Sequence, residues 1–262
     1  MKQAIRALTI ATLILWTFII AFAATAIYSV INLSKGIDFG EVQFFPSSKG
    51  VVLSLPFSIN NTGYYDIAEL NVTTRMTTHN GTLLALSETL VPLIASGSSI
   101  EKVHNISIDL NDIISMGYDE LFFNDSSFGF DAFVSLNFAY AIPVQMSINM
   151  SIPWGAPLSN LSIGEISVDP LYNSTHSKVV IPVSFENHSF FDIVGTMKLE
   201  IYNDIDELVT SGQTNLNVSS HSGYNEQVEM YLSLGDTLPE SGKIHLVFES
   251  PMFTVEQRIT YG

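Results

Sequence analysis

Hydrophobic positions follow two rhythms along this chain. From Ala7 to Ser34 no charged residue occurs, and the run LTIATLILWTFIIAFAATAIYSVI within it is apolar on every side. At 1.5 Å per residue this run is long enough to cross a hydrocarbon core about 30 Å thick, so residues 7–33 are predicted to form one transmembrane helix. Lys2 and Arg6 precede it and place residues 1–6 on the cytoplasmic side of a cell membrane, with everything C-terminal extracellular. Trp16 falls deep within the span, while Tyr28 lies near its far end, where aromatic rings favour the interface. Two small-residue sites, Ala21-Phe22-Ala23 and Ala24-Thr25-Ala26, would suit a signal peptidase. The apolar run continues past both and exceeds the 7–15 residues usual for a signal sequence, so an uncleaved single-pass anchor is expected.

Beyond residue 36 the period becomes two, the signature of half-buried strands. Leu53, Leu55, Phe57 and Ile59 alternate, as do Val183 with Phe185 and Met197, Leu199 and Ile201. Further strands are predicted over 133–140 with 144–151, and over 243–249 with 253–260. Pro143 and Pro251 fall where each of these pairs should break, since proline interrupts strand pairing. One stretch departs from alternation. In residues 111–123, Ile113, Ile114, Leu121 and Phe122 recur at near-helical spacing, and Asp109 or Asn111 could cap a short helix there.

The pattern occurs twice. Residues 55–67, LPFSINNTGYYDI, align with 181–193, IPVSFENHSFFDI, at a constant spacing. Pro56 matches Pro182, Asn61 matches Asn187, Tyr64-Tyr65 matches Phe190-Phe191, and Asp66 matches Asp192. Upstream, Gly40-Glu41 matches Gly164-Glu165; downstream, Ile106, Ile108 and Leu110 alternate as Val228, Met230, Leu232 and Leu234 do. The second copy keeps only a stub of the helical stretch, Gly235–Gly242. Six or seven short strands per copy predict two β-sandwich domains, 37–153 and 158–262, joined by a stiff linker at Pro153-Trp154-Gly155-Ala156-Pro157.

Charge and composition narrow the function. All 26 acidic residues lie beyond the hydrophobic span, against 8 of the 10 basic ones, so the outer part repels nucleic acid and anionic lipid head groups. The absence of cysteine excludes disulfides and thiolate chemistry, so core packing must hold the domains together. Asn-x-Ser/Thr occurs at Asn32, Asn60, Asn71, Asn80, Asn105, Asn124, Asn149, Asn160, Asn173, Asn187 and Asn217. That is 11 of 17 asparagines, where a chain with 49 Ser and Thr in 262 residues would give about three by chance. Such an excess fits a glycosylated surface of an archaeon or a eukaryote, with all but Asn32 in the ectodomain.

The order of these features resembles that of the late-embryogenesis-abundant group 2 domain, also called the water-stress and hypersensitive-response domain. An alternating strand runs into an Asn-containing turn at Asn61 or Asn187, and an aromatic pair and a second strand follow. A small-residue loop comes next, Ala95-Ser96-Gly97-Ser98 or Ser219-Ser220-His221-Ser222-Gly223, then a strand, a helix and a final strand pair. The usual Asn-Pro-Asn is replaced by Asn60-Asn61-Thr62 and Glu186-Asn187-His188. The resemblance implies a mainly β fold of immunoglobulin-like or fibronectin-like sandwiches without catalytic residues or cofactors. It also implies roles in stress response or at membranes, some sandwiches of this type holding lipids; for this ectodomain, envelope proteins or a hydrophobic ligand are the expected partners.

No catalytic or metal set can be assembled from the sequence. The six histidines, His79, His104, His176, His188, His221 and His245, form no close ligand pair and read as surface or turn residues. Asp204, Asp206 and Glu207 lack the spacing of a calcium loop and read as a solvated hairpin tip. Ser99 and Lys102 match Ser-x-x-Lys, yet they fall in a loop entering a strand rather than on a helix. Asp66 and Asp192 are expected to bond backbone N–H groups beside the aromatic pairs, and Asn61 and Asn187 to fix the same turns. For Asn187 that role competes with its sequon. Two uses remain open for the ectodomain: presenting a structural, glycosylated surface, or carrying a lipid in an apolar groove between sheets.

Overall fold

The computed structural model describes residues 2–170, 172–233 and 235–262. Leu234, the last alternating position read above, lies outside the described residues. Helix α1, Lys2–Gly36, carries the apolar run, and its side chains from residue 5 to 24 are exposed. It is long and apolar enough to cross a membrane. The hydroxyls of Thr9, Thr12, Thr17 and Thr25 each donate to the carbonyl four residues earlier, which leaves no hydroxyl seeking water in that stretch.

The remainder is mainly β, in two immunoglobulin-like sandwiches of the same plan. In the first, β1 (Ile37–Phe39) and β2 (Gln43–Ser47) pair with β3 (Gly50–Asn61), which pairs with β6 (Ser98–Asp109). The facing sheet runs β5 (Leu83–Ile94), β4 (Ile67–Thr77), β7 (Ser126–Phe138), β8 (Ile142–Trp154). In the second, β9 (Ser159–Ile163) and β10 (Ser167–Asp169) pair with β11 (His176–Asn187), which pairs with β14 (Ser222–Ser233). The facing sheet runs β13 (Leu208–Val218), β12 (Ile193–Tyr202), β15 (Gly242–Glu249), β16 (Thr254–Tyr261). Each copy thus has eight described strands rather than six or seven, because β1, β2, β9 and β10 are too short to show a period. The register repeats as well: Leu55 opposes His104 as Ile181 opposes Val228.

Alternation becomes burial. Val179, Ile181, Val183 and Phe185 face Met197, Leu199 and Ile201 across a filled second core. The segment 111–123 forms two short pieces rather than one helix. Helix α2, Leu110–Ser115, is capped by Asp109, whose carboxylate accepts the Asn111 and Asp112 N–H groups. Gly117, at φ +81°, ends it, and a 3-10 turn follows at Asp119–Phe122. Pro143 lies inside β8 opposite Asn137, not in a break; β8 is an edge strand, where a missing N–H is tolerated.

The stretch 153–157, read above as a stiff linker, is packed into a seam. Trp154, Ala156 and Leu158 are buried, and the Trp154 indole donates to the Leu121 carbonyl at 2.7 Å. Leu158 N–H donates to Phe122 O and His188 N–H to Ala156 O. Asn111 clasps the far side, donating to Met252 O and accepting Thr254 N–H. The second sandwich therefore stands end-on upon the first.

A charged clasp closes one edge of this seam. His188 lies 2.8 Å from both Asp125 and Glu186, and Asp125 also accepts Ala156 N–H. The hydrogen bonds to Asp125 and Glu186 hold the His188 pKa above its ordinary 6.5. Burial works to raise Asp125, but the Ala156 N–H and His188 outweigh it and its pKa falls; the His188 bond lowers Glu186. A raised histidine contributes fully below 6.5 and loses its contribution as pH climbs through its folded value, whereas the carboxylates fail only in acid. All three groups are partly exposed, which keeps the effect small. Melting temperature is expected to decline slightly from pH 6 to 8, and His188→Gln to flatten that slope; equal slopes would remove the clasp from the seam.

Candidate functional site

The residues singled out in the two turns form equivalent constructions. Asn61 is buried; its amide donates to Tyr65 O and Ile94 O, and its oxygen accepts Gly63 N–H. Asn187 is buried likewise and donates to Phe191 O, Ser219 O and Val218 O, while its oxygen accepts the Ser189 N–H and hydroxyl. This corrects its place among the glycosylation candidates, because a fully committed, solvent-free amide offers no nitrogen to a sugar. Asp66 and Asp192 each accept a backbone N–H at 2.8 Å, from Ser96 and Ser220. Those groups belong to the adjoining small-residue loops, so the carboxylates tie two loops together rather than bracing the aromatic pair alone.

The aromatic pairs dock each sandwich on whatever precedes it in the chain. Tyr65 packs edge-on against Phe22 of α1 and its hydroxyl meets Thr25 Oγ1 at 2.7 Å. Tyr64 packs at a tilt against Tyr28, and its N–H donates to Ser29, which is fully buried. Gly63 permits this approach, since a Cβ there would stand 2.8 Å from Ser29 Cβ. In the second copy, Phe190 packs on Phe44 and Trp154, and Phe191 on Trp154.

An apolar cleft opens in the first sandwich beside the end of α1. Residues opposite one another across an antiparallel pair share a face, so Val144 shares the buried face of Leu136 and Met146 that of Val134. Yet Ile142, Val144, Met146, Ile148 and Met150 are all exposed. The reason is a mismatch of lengths. β8 has 13 residues, whereas the strands that should cover it, β1 and β2, have 3 and 5. The result is a cavity of about 330 Å³ between the sheets. Phe39, Phe57, Val72, Leu136 and Met146 line it, and Leu33 of α1 closes one end. In the second sandwich β16 has only 8 residues and Val255 is buried.

A polar band bounds this region. His104 is fully buried, which corrects its reading as a surface residue; its ring nitrogens lie 2.8 Å from Thr74 and Thr89 hydroxyls. Burial lowers its pKa, which favours the neutral ring. On one side lies the core of Phe57, Ile59, Leu70 and Leu136; on the other, a core continuous with the second sandwich.

The other candidates stay apart. Ser99 and Lys102 sit on β6 itself, not in a loop, opposite Asn60 and Phe57, and their odd separation sends them to opposite faces. Asp204 accepts Ser241, Asp206 pairs with Lys243, and Glu207 accepts Asn203. Among the described residues no group of three His, Asp or Glu could hold a metal ion. Asn60, Asn80, Asn105, Asn124, Asn149, Asn160, Asn173 and Asn217 are exposed; Asn71 is half-buried and donates to Glu88.

No protein-family model matches the chain, and no curated protein matches it in sequence. Among solved structures, the YadV chaperone aligns over 86% of this chain and 99% of its own, at 11% identity and a TM-score of 0.29. The periplasmic chaperone SfaE covers the same shares at 12% identity and 0.30. A glycosyl hydrolase family 2 member from Bacteroides cellulosilyticus aligns over 80% of this chain and 28% of its own, at 8% identity and 0.32. Likenesses this weak bear on neither ligand nor activity.

Proposed function

We propose that this is a non-catalytic surface protein, held by α1 with its N-terminus inside, whose first sandwich receives an acyl chain of a membrane lipid in the cleft. The cleft carries the reading. Its wall is almost wholly apolar, its volume suits a small hydrophobic ligand, and α1 supplies Leu33 and Val30 to its rim. Exposed apolar rows of this size mark binding sites rather than ordinary surface. Covering Val144 and Met146, each about half exposed, would contribute about 1 kcal/mol apiece. The exposed sequons and the basic N-terminus support an extracellular, glycosylated setting. The Asn-turn order, repeated on one strand plan, supports kinship with late-embryogenesis-abundant group 2 domains.

The test is photolabelling of the full chain in vesicles containing a phospholipid with a diazirine on its acyl chain. Adducts are expected on β8 near residues 144–146 as well as on α1. Val144→Glu with Met146→Glu should remove the β8 adducts and spare those on α1. Labelling confined to α1 in the unaltered protein would sink the proposal.

A further inference from the structure

We propose that the membrane-facing tip of the first sandwich is itself seated in the lipid head-group layer, through Tyr28, Tyr64 and Tyr140. This rests on the reading of α1 as a retained anchor and concerns a surface separate from the cleft. The geometry of the docking requires it. A hydrocarbon core of about 30 Å takes up about 20 helical residues, so a span that begins after Arg6 ends near Ala26. The β3–β4 turn does not stop above that level. Tyr65 reaches down α1 to Thr25, and its ring lies 5.5 Å from that of Phe22, a full turn below Ala26. The tip must therefore enter the interface wherever the helix is fully inserted.

Its chemistry fits that depth. Three turns meet at this end: Thr62-Gly63-Tyr64, Ala95-Ser96-Gly97 and Ala139-Tyr140-Ala141. None of these nine residues is charged, on an outer part with 26 acidic residues. The Asp66 carboxylate is turned onto Ser96 N–H and the Tyr140 hydroxyl, and that of Glu69 onto the Asn137 amide. Tyr28, Tyr64 and Tyr140 are 52%, 65% and 64% exposed, large amphipathic rings of the kind that settle at a membrane–water boundary. The corresponding turn of the second sandwich carries His188, which bonds Asp125 and Ala156 O, so that turn rests on protein. A zwitterionic lipid surface is the partner that matches an uncharged tyrosine rim, since anionic head groups would meet the acidic flanks.

Because the chain has no cysteine, single nitroxide labels report depth directly. The full-length variants Trp16→Cys, Tyr64→Cys, Tyr140→Cys and Ile205→Cys are labelled and reconstituted in phosphatidylcholine vesicles. Power saturation with oxygen and with a water-soluble nickel chelate then ranks them. Trp16 marks the span, and Ile205, 73% exposed on the distal hairpin, marks bulk water. Positions 64 and 140 are expected between them, with nickel accessibility several-fold below that at 205 and oxygen accessibility above it. Values at 64 and 140 equal to 205, with 16 in hydrocarbon, overturn the seating and leave the anchor standing. Shielding of 64 and 140 from both agents points to a protein partner and overturns it too. If position 16 also reports water, the anchor reading fails and the seating with it.

Discussion

Asn187→Ala should cost about 3 kcal/mol or more of folding stability, a larger loss than any surface change in either sandwich. The side chain is wholly buried and bridges three strand ends. Removing it takes the amide partner from the carbonyls of Phe191 and Val218 and leaves the N–H of Ser189 without its acceptor, while Ser219 O keeps the Ser222 N–H and hydroxyl. Each orphaned buried group costs about 1–3 kcal/mol, softened where Ser189 Oγ, already bonded to Phe191 O, takes up part of the load. Asn187→Asp should fare no better, since it turns the amide donor into an acceptor against three carbonyls. Chemical denaturation of the full chain in detergent gives the measurement, and a loss under 1 kcal/mol would contradict the geometry. Asn61→Ala is the matched control in the first copy, with two carbonyl partners in place of three. The same construction predicts that peptide mapping after expression in a glycosylating host finds Asn187 without sugar while Asn160 and Asn217 are open to it.

Gly155→Val should part the two sandwiches without unfolding either. A Cβ at Gly155 would stand 2.0 Å from the His188 carbonyl oxygen, which belongs to rigid backbone and cannot step aside. The seam must open by more than an ångström, and with it go the His188 N–H to Ala156 O bond and the packing of Trp154 on Phe190 and Phe191. Overpacking of this kind costs about 1–3 kcal/mol. The loss should appear as a larger radius of gyration in small-angle scattering and a split melting transition, with the β circular dichroism kept. An unchanged scattering profile would show that the seam tolerates the side chain.

Much of this architecture is legible in the sequence, and the reasons for the rest are physical. Period-two burial at Val179–Phe185 and Met197–Ile201 follows directly from alternation, because the inner face of each strand is covered along its length while the outer face meets solvent. The 126-residue spacing between Asn61 and Asn187 locates both turns. The cleft is invisible at that level. Val144, Met146 and Ile148 alternate as core residues do, and whether an inward row is covered depends on the length of a strand in the other sheet. His104 is hidden for a similar reason: it occupies an inward register position, equivalent to Val228, that only strand pairing reveals. The docking of Ser29 on Tyr64 gives no signal either, since a serine in an apolar helix ordinarily bonds its own backbone, as Ser29 also does. Asp109 as a cap and Asn187 as a turn residue were readable, although the sequon at Asn187 points the other way.

The junction between helix and first strand has a mechanical meaning. α1 ends at Gly36 and β1 begins at Ile37, with Ser29 bolted to Tyr64 a few residues earlier, so no swivel separates the apolar rod from the body it carries. With the second sandwich stacked end-on, the whole molecule is a lever. A few degrees of tilt or axial rotation of α1 sweeps the far hairpin around Ile205 through an arc many times larger, and a push at that hairpin is felt as torque along the helix.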